Sequence, residues 1–165
     1  MDALESLAPS LGSDVPFCLH GGTARVSGRG ELIEPLDPLT GFAVAIVVPP
    51  SEVSTPAVFR AWDEMADPVG LRLNAGDLPP ALRAEEAIVN DLYPAAVAVA
   101  SEIDDWRHDL EGAWGRPVMM SGSGPSLYTF FLDREEATDA LSSIPRGARA
   151  AQACDLAFQG WHLAE

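Results

Sequence analysis

From residue 42 onward, apolar residues cluster in short runs, a pattern typical of strands. Residues 42–48 are nearly all β-branched or apolar and end at two prolines, which predicts a buried strand. Residues 118–120 and 127–132 predict two further strands, and a weaker strand is predicted within 148–158.

Other segments show apolar residues at helical spacing. Residues 2–11 predict a short helix interrupted by Pro9, and Ser54-Thr55-Pro56 predicts the start of a second helix. Residues 85–110 form the main helical prediction, with a bend expected at Pro94. A further helix is expected to begin at Asp133 or Arg134 and to end at Ile144, whereas residues 66–82 predict a loop.

The N-terminal region carries an acidic residue in a Gly-Ser turn. Residues 15–34 predict two strands around glycine turns. Because a proline disfavours helix at the residue before it, Pro16 predicts an extended Val15 and places Asp14 at a corner between helix and strand. Asp14 could simply close this turn, which is a common position for aspartate.

The order of the predicted elements indicates the fold class. From residue 42 the order is strand, helix, helix, strand, strand, helix, strand, which predicts an α+β sandwich of the ferredoxin-like kind. Residues 35–41 contain two prolines and a glycine and form the best candidate linker. We therefore predict two regions, 1–40 and 41–165.

Composition restricts the classes of partner. The chain of 165 residues is 47% hydrophobic, enough for a packed core, and its net charge of −15 argues against binding nucleic acid or an anionic membrane. All ten basic residues are arginine. The two cysteines and three histidines lack the spacing of metal ligands, so no metal site is predicted. Without a signal peptide or a membrane-length apolar run, the sequence predicts a soluble cytoplasmic protein.

The run Ser121-Gly122-Ser123-Gly124-Pro125 is a candidate anion site. Two glycines can turn backbone N–H groups toward one point, which makes a nest for phosphate. The GK[ST] ending of a Walker loop is absent. A glycine-rich hairpin turn between two strands would explain the same residues without any ligand.

The run LGSDVPFCLHGGTARVSGRGE, residues 11–31, resembles the segment of the 4-diphosphocytidyl-2-C-methyl-D-erythritol kinases, of the GHMP kinase superfamily, that carries their catalytic aspartate. The resemblance implies that Asp14 handles the proton of the hydroxyl that is phosphorylated, and that Arg29 lies near the substrate. It also implies a C-terminal GHMP-kinase domain preceded by the last elements of the N-terminal domain.

Two further segments are similar to motifs of this family. Ser121, Gly122, Ser123 and Gly124 match its third conserved motif, which implies support of the ATP phosphates. In the segment 54–60, the resemblance implies that Thr55 and Pro56 lie at the substrate, that Phe59 stacks on cytosine and that Arg60 contacts the diphosphate. Phe59 could instead belong to the core. Asn90-Asp91-Leu92 also recurs in the family, and we interpret it as a structural polar group at a helix break.

The implied activity is ATP-dependent phosphorylation of the 2-hydroxyl of 4-diphosphocytidyl-2-C-methyl-D-erythritol, in non-mevalonate isoprenoid biosynthesis. ATP and Mg²⁺ are the implied cofactors, and the implied partner is this small molecule, with no nucleic acid and no membrane. A family member acting on homoserine or mevalonate fits the Asp14 and Thr55-Pro56 segments less well.

The sequence departs from the family pattern in two motifs. The Lys-x-Asn motif and the Gly-Leu-Gly-Gly-Ser-Ser phosphate loop of these kinases are absent, and the chain has no lysine. By this comparison the sequence begins after that loop, which predicts impaired kinase activity and an exposed apolar surface that favours self-association. Two alternatives stay open: a non-catalytic C-terminal fragment, and a small-ligand-binding α+β module that makes no use of Asp14.

Overall fold

A computed structural model describes residues 2–83 and 87–160. The chain forms two compact units, which we describe separately. The first contains residues 2–40 and 156–160, and the second contains residues 41–155. The predicted start of the main helix at Glu85 lies outside the described residues.

The first unit consists of two helices and a β-hairpin. Its elements are α1 (Asp2–Leu11), α2 (Val15–His20), β1 (Ala24–Ser27) and β2 (Leu32–Pro35). The two strands pair antiparallel, with Val26 opposite Ile33. The predicted helix over residues 2–11 is present, with Pro9 inside it.

The strand predicted directly after Asp14 is wrong, because α2 occupies those residues. Asp14 is the N-cap residue of α2, with φ −89° and ψ −12°, and Pro16 lies in the first turn. A proline is tolerated in the first turn because its missing N–H would have no helical partner there. This advantage outweighs the preference of Val15 for extended backbone, so Asp14 lies between two helices.

Residues 156–160 pack in the first unit and not with the second, where the sequence placed them. The N–H of Gly160 donates to the carbonyl of His20 at 3.3 Å. A Cβ atom on Gly21 would lie 1.9 Å from the Gly160 nitrogen, so only glycine permits this contact between the two backbones.

The second unit is an antiparallel sheet with helices packed on one face. Its elements are β3 (Ala43–Val48), α3 (Thr55–Asp63), β4 (Leu71–Asn74), β5 (Ala87–Asn90), α4 (Tyr93–Val99), α5 (Glu102–Trp114), β6 (Met119–Met120), β7 (Leu127–Phe131), α6 (Arg134–Ala140) and β8 (Ala150–Asp155). The main sheet has the order β6-β7-β3-β8. The predicted α+β class is confirmed.

The core lies between this sheet and the helices. Ala43, Ala45 and Val47 alternate along β3 and are fully buried on the helix-facing side. Small side chains at the first two positions allow a close approach of the helix layer, which supplies Val58 and Ile103 to the same cluster. The start of α3 and the loop after β6 are therefore attached to one packed core.

A second hairpin, β4–β5, corrects two predictions. Residues 71–74 lie in the segment predicted as a loop, and residues 87–90 lie in the segment predicted as helix. Leu73 pairs with Ile88 across the hairpin, and both pack in a cluster with Met119 of β6. Burial against a distant strand therefore decides the conformation of residues 87–90.

The rest of the predicted main helix is two helices. Pro94 lies in the first turn of α4 instead of bending a continuous helix, and the break falls at Ala100-Ser101. The longest described helix, α5, has 13 residues. No helix within 2–83 or 87–160 is both long and apolar enough to cross a membrane.

A polar network joins α4, α5 and the segment before β6. The Tyr93 hydroxyl donates to Asp104, and Arg107 Nε donates to the Tyr93 oxygen at 2.6 Å. Arg107 also donates to Glu111 Oε1 at 2.7 Å, and the same oxygen accepts from the Val118 N–H at 3.1 Å. Burial, followed by the hydrogen bond to Asp104, raises the pKa of Tyr93 to about 12. The network holds the start of the segment that leads into β6.

We expect Tyr93→Phe to destabilise the second unit by about 1–2 kcal/mol at neutral pH, because Asp104 and Arg107 lose a shared partner. The Tyr93 hydrogen bond is the main cause that lowers the pKa of Asp104 below its ordinary 3.8. This contribution is present above that ordinary value and is lost as the pH falls through the lowered pKa. Urea unfolding should therefore show a difference between wild type and variant that narrows in strong acid; a constant difference would contradict this role.

Candidate functional site

The loop between β6 and β7 is a tight turn fixed by its own backbone. The Ser121 N–H donates to the Ser126 carbonyl, and the Gly124 N–H donates to the Ser121 carbonyl, both at 2.9 Å. Gly122 and Gly124 have φ of 54° and 80°, in the region that favours glycine. A Cβ atom on Gly124 would also lie 2.8 Å from the sulfur of Met120. The glycines therefore permit both the turn and its packing.

Two backbone amides of this loop are available to a ligand. The N–H groups of Ser121 and Gly124 are used inside the turn, whereas those of Gly122 and Ser123 have no acceptor among the described residues. Neighbouring free N–H groups in a glycine-containing turn can bind an anion. The arrangement can therefore accept a phosphate oxygen.

Asn90, at the end of β5, holds this loop from the side. Its Nδ2 donates to the carbonyl of Met120 at 2.7 Å and to that of Gly122 at 2.9 Å. Its Oδ1 accepts from the Leu92 N–H at 3.0 Å. The sequence indicated a structural polar group here but assigned it to a helix break. Its contact with the loop depends on the β4–β5 hairpin, which the sequence pattern did not show.

A hydrogen bond joins the loop to the start of α3. The hydroxyls of Thr55 and Ser123 lie 2.7 Å apart. Thr55 is the first residue of α3, Ser54 is its N-cap residue, and Pro56 lies in the first turn, where a proline suits a helix. Two motifs identified separately in the sequence therefore form one continuous surface of the second unit.

Farther along α3, Phe59 and Arg60 are both exposed. Val58 is fully buried, whereas the side chain of Phe59 is 49% exposed and that of Trp62 is 37% exposed. Arg60 has no side-chain hydrogen bond or ion pair within the described part of the chain. The core contact of α3 is made by Val58, which leaves the ring of Phe59 and the guanidinium of Arg60 accessible.

In the first unit, Asp14 is exposed, and its carboxylate has no ion-pair partner among the described residues. Its backbone carbonyl accepts from the Cys18 N–H at 3.0 Å as α2 begins. The side chain caps no N–H of α2, and within residues 2–83 and 87–160 it makes no ion pair. The carboxylate is therefore accessible to solvent or to a ligand.

Arg29 lies near the turn that carries Asp14. Gly30 packs so closely on this turn that a Cβ atom would lie 2.0 Å from the carbonyl oxygen of Ser13. Arg29, Ser13 and Pro16 line a common cavity of about 190 Å³. The Arg29 N–H donates to the carboxylate of Glu31 at 2.6 Å, while its guanidinium has no partner among the described residues. The structure thus places Arg29 close to Ser13, the residue before Asp14.

The described residues contain no group of three or more His, Cys, Asp or Glu side chains that could hold a metal ion. Magnesium in phosphoryl-transfer sites is commonly bound by one or two carboxylates together with substrate phosphates and water. Where Mg²⁺ is bound in this way, the protein itself supplies only one or two carboxylates.

The curated proteins to which the chain is similar share one name. The chain is 39% identical to the 4-diphosphocytidyl-2-C-methyl-D-erythritol kinase of Sinorhizobium medicae over 142 residues, covering 86% of this chain and 47% of that protein. It is 35% identical to the enzyme of the same name from a Synechococcus species, covering 99% of this chain and 60% of that protein. The chain thus spans about half the length of the curated relatives it matches.

A solved structure gives the same result for the fold. A crystal structure of 4-(cytidine 5'-diphospho)-2C-methyl-D-erythritol kinase matches with a TM-score of 0.73 and 31% identity, covering 91% of this chain and 55% of that one. No protein-family model matches the chain. The resemblance to these kinases along part of their length is therefore confirmed.

Proposed function

We propose that this chain, a relative of the 4-diphosphocytidyl-2-C-methyl-D-erythritol kinases over about half their length, binds the cytidine diphosphate end of their substrate and takes part in its phosphorylation. The observation that carries the proposal is the hydrogen bond between Thr55 and Ser123. It joins a helix with an accessible aromatic ring, suited to the cytidine end of the substrate, to a loop with free N–H groups, suited to the phosphates of the donor.

The second unit supplies the groups that would bind the cytidine diphosphate. Phe59 lies one helical turn beyond Thr55, about 6 Å along the axis of α3, and its half-exposed ring can stack on a pyrimidine. Arg60 follows directly, and its guanidinium fork, which has no partner in the described part of the chain, suits phosphate oxygens. Pro56 would pack beside the ligand. In this arrangement α3 binds the base and the diphosphate.

The loop after β6 would assist with the nucleotide donor. Gly122 and Ser123 offer the free N–H groups, and Ser121 and Gly124 hold the turn that presents them. We propose ATP as the donor, bound with Mg²⁺. Transfer of a phosphoryl group depends mainly on alignment and on neutralising negative charge, so backbone donors of this kind suit the task.

In the first unit, we propose Asp14 as the residue that accepts or orients the proton of the acceptor hydroxyl. An exposed carboxylate without an internal ion pair can receive a hydrogen bond from an alcohol. Arg29, which shares a cavity with Ser13, would attract the negatively charged substrate to the first unit despite the net charge of −15.

The 165 residues by themselves are expected to bind the cytidyl ligand with little or no turnover. They contain no lysine to pair with the aspartate and no second glycine-rich phosphate loop. A binding function without catalysis is the second candidate, and the free amides of the loop together with the accessible Phe59 favour it as directly as they favour catalysis.

A calorimetric titration of the 165-residue chain with cytidine 5'-diphosphate, adenosine 5'-diphosphate and cytidine tests the proposal. We expect the cytidine diphosphate to bind most tightly, since it offers both a pyrimidine and a diphosphate. Equal affinity for all three compounds, or no binding, would contradict it. An assay for ATP-dependent product formation then separates a kinase from a binding module.

We also propose a cytoplasmic location and a small-molecule partner, in keeping with a metabolic kinase.

Self-association is a further proposal, supported by large apolar side chains that are exposed on the first unit. Among them Leu7 is 52% exposed and Leu11 is 68% exposed, both on α1. Sedimentation of the chain over a range of concentrations tests this proposal.

A further inference from the structure

The amide group of Asn90 is fully used by the backbone around the loop. Both hydrogens of Nδ2 point to carbonyls, those of Met120 and Gly122, and Oδ1 accepts from the Leu92 N–H. Because carbonyls require donors and an N–H requires an acceptor, these three bonds also fix which way the amide is oriented. Asn90 therefore cannot rotate without losing bonds at both ends.

The hydrogen bonds from Asn90 determine the directions of two N–H groups in the loop. In a planar trans peptide the C=O and N–H groups point in opposite directions. Since the Gly122 carbonyl points to Asn90, the N–H of Ser123 points away from Asn90. The Met120 carbonyl also points to Asn90, so the N–H of Ser121 points away from Asn90 and donates to the Ser126 carbonyl at 2.9 Å. The N–H of Ser123 has no such acceptor among the described residues.

We propose that Asn90 is a positioning residue that aims the Ser123 N–H at a bound phosphate group. This inference rests on the proposed function for the identity of the ligand, while the orientation itself follows from the hydrogen bonds. Asn90 does not touch the phosphate. It acts through the carbonyls of Met120 and Gly122, and the Thr55 hydroxyl holds the Ser123 side chain from the other direction.

The test compares Asn90→Asp with Asn74→Asp in the full chain. Asn90→Asp keeps the shape and the acceptor for Leu92 but directs a carboxylate oxygen at two carbonyls. Asn74, in the partner strand β4, is exposed and accepts only from Arg72 Nε at 3.1 Å among the described residues, so its substitution adds the same charge to the same hairpin. The readouts are amide hydrogen exchange at Ser121 and Gly124, whose N–H groups are hydrogen-bonded inside the turn, and affinity for inorganic tripolyphosphate.

For Asn90→Asp we expect exchange at these two amides to rise about tenfold and tripolyphosphate affinity to fall about tenfold, with exchange in β3 and β7 unchanged. Asn74→Asp should change neither readout. Loop exchange that stays at the wild-type level, or tripolyphosphate affinity that stays the same while loop exchange rises, would overturn the inference.

Two further results have a defined meaning. If Asn90→Asp fails to fold, Asn90→Ala, which removes the donors without adding charge, takes its place with the same expected direction of change. If the wild-type chain binds no tripolyphosphate, the proposed phosphate site fails. A rise in loop exchange in Asn90→Asp would then support only the orienting role of Asn90. Unchanged loop exchange in that variant would overturn the orienting role as well.

Discussion

Replacing Gly30 by alanine is expected to destabilise the first unit by roughly 3–5 kcal/mol. The new Cβ atom would lie 2.0 Å from the carbonyl oxygen of Ser13 and 2.7 Å from its carbonyl carbon. Backbone atoms cannot rotate aside as a side chain can, so the turn before Asp14 would have to move. Alanine would also be strained at the φ of 113° found for Gly30. Amide exchange in β1 and β2, measured in the full chain, reports the loss.

Gly28→Ala is the matched control. Gly28 precedes Arg29 in the same turn, as Gly30 follows it, and has a positive φ of 69°. The atoms nearest to its Cβ atom would be those at the carboxylate end of Glu31, the first at 2.8 Å, and that flexible side chain can move. We expect a loss of about 1–2 kcal/mol from the backbone conformation alone. Equal losses for the two variants would show that Gly30 does not pack on the Ser13 turn.

Phe59→Ala is expected to weaken binding of cytidine 5'-diphosphate by about 5- to 160-fold, because stacking of a base on an aromatic ring contributes about 1–3 kcal/mol. The ring is 49% exposed, and Val58 makes the core contact of α3, so the stability of the second unit should change little. Calorimetric titration of the full chain, together with thermal unfolding, measures both quantities.

Two comparisons sharpen this result. Phe158→Ala removes an aromatic ring that is 61% exposed and belongs to the first unit, and it should leave the affinity unchanged. Phe59→Trp keeps an aromatic face and should restore most of the binding. An unchanged affinity in Phe59→Ala, or an equal loss in Phe158→Ala, would contradict stacking at α3.

Local sequence patterns were sufficient to predict the elements whose type is indicated by their own residues and the residues next to them. The run that became β3 is apolar on both faces and is followed by prolines, so its type and position could be read directly. The turn at residues 121–125 was equally clear, because two glycines and a proline stand between two apolar strands. These elements carry the sheet and one half of the candidate site.

Longer-range contacts explain the main errors in the second unit. Ile88 and Leu92 are four positions apart, which satisfies a helical stripe as well as it satisfies the end of a strand. The strand conformation of residues 87–90 depends on Leu73. This residue pairs with Ile88 across the hairpin, and both side chains pack against Met119. No pattern within residues 85–110 contains that information.

Competing local preferences explain the error at Asp14. The residue before a proline avoids helical backbone, but a proline in the first turn of a helix is favourable. Both rules apply to Val15-Pro16, and the second prevailed. The sequence also could not predict the hydrogen bond between Thr55 and Ser123 in the candidate site, since these residues are 68 positions apart.

The most direct test of the central claim is a titration of the isotope-labelled 165-residue chain with cytidine 5'-diphosphate, followed by NMR spectroscopy. We expect chemical-shift changes at residues 55–60 and at residues 121–124 with the same dissociation constant, because the hydrogen bond between Thr55 and Ser123 joins them into one surface. Changes confined to one of the two segments, or located in neither, would contradict the claim that the helix and the loop form one connected site for the substrate and the donor.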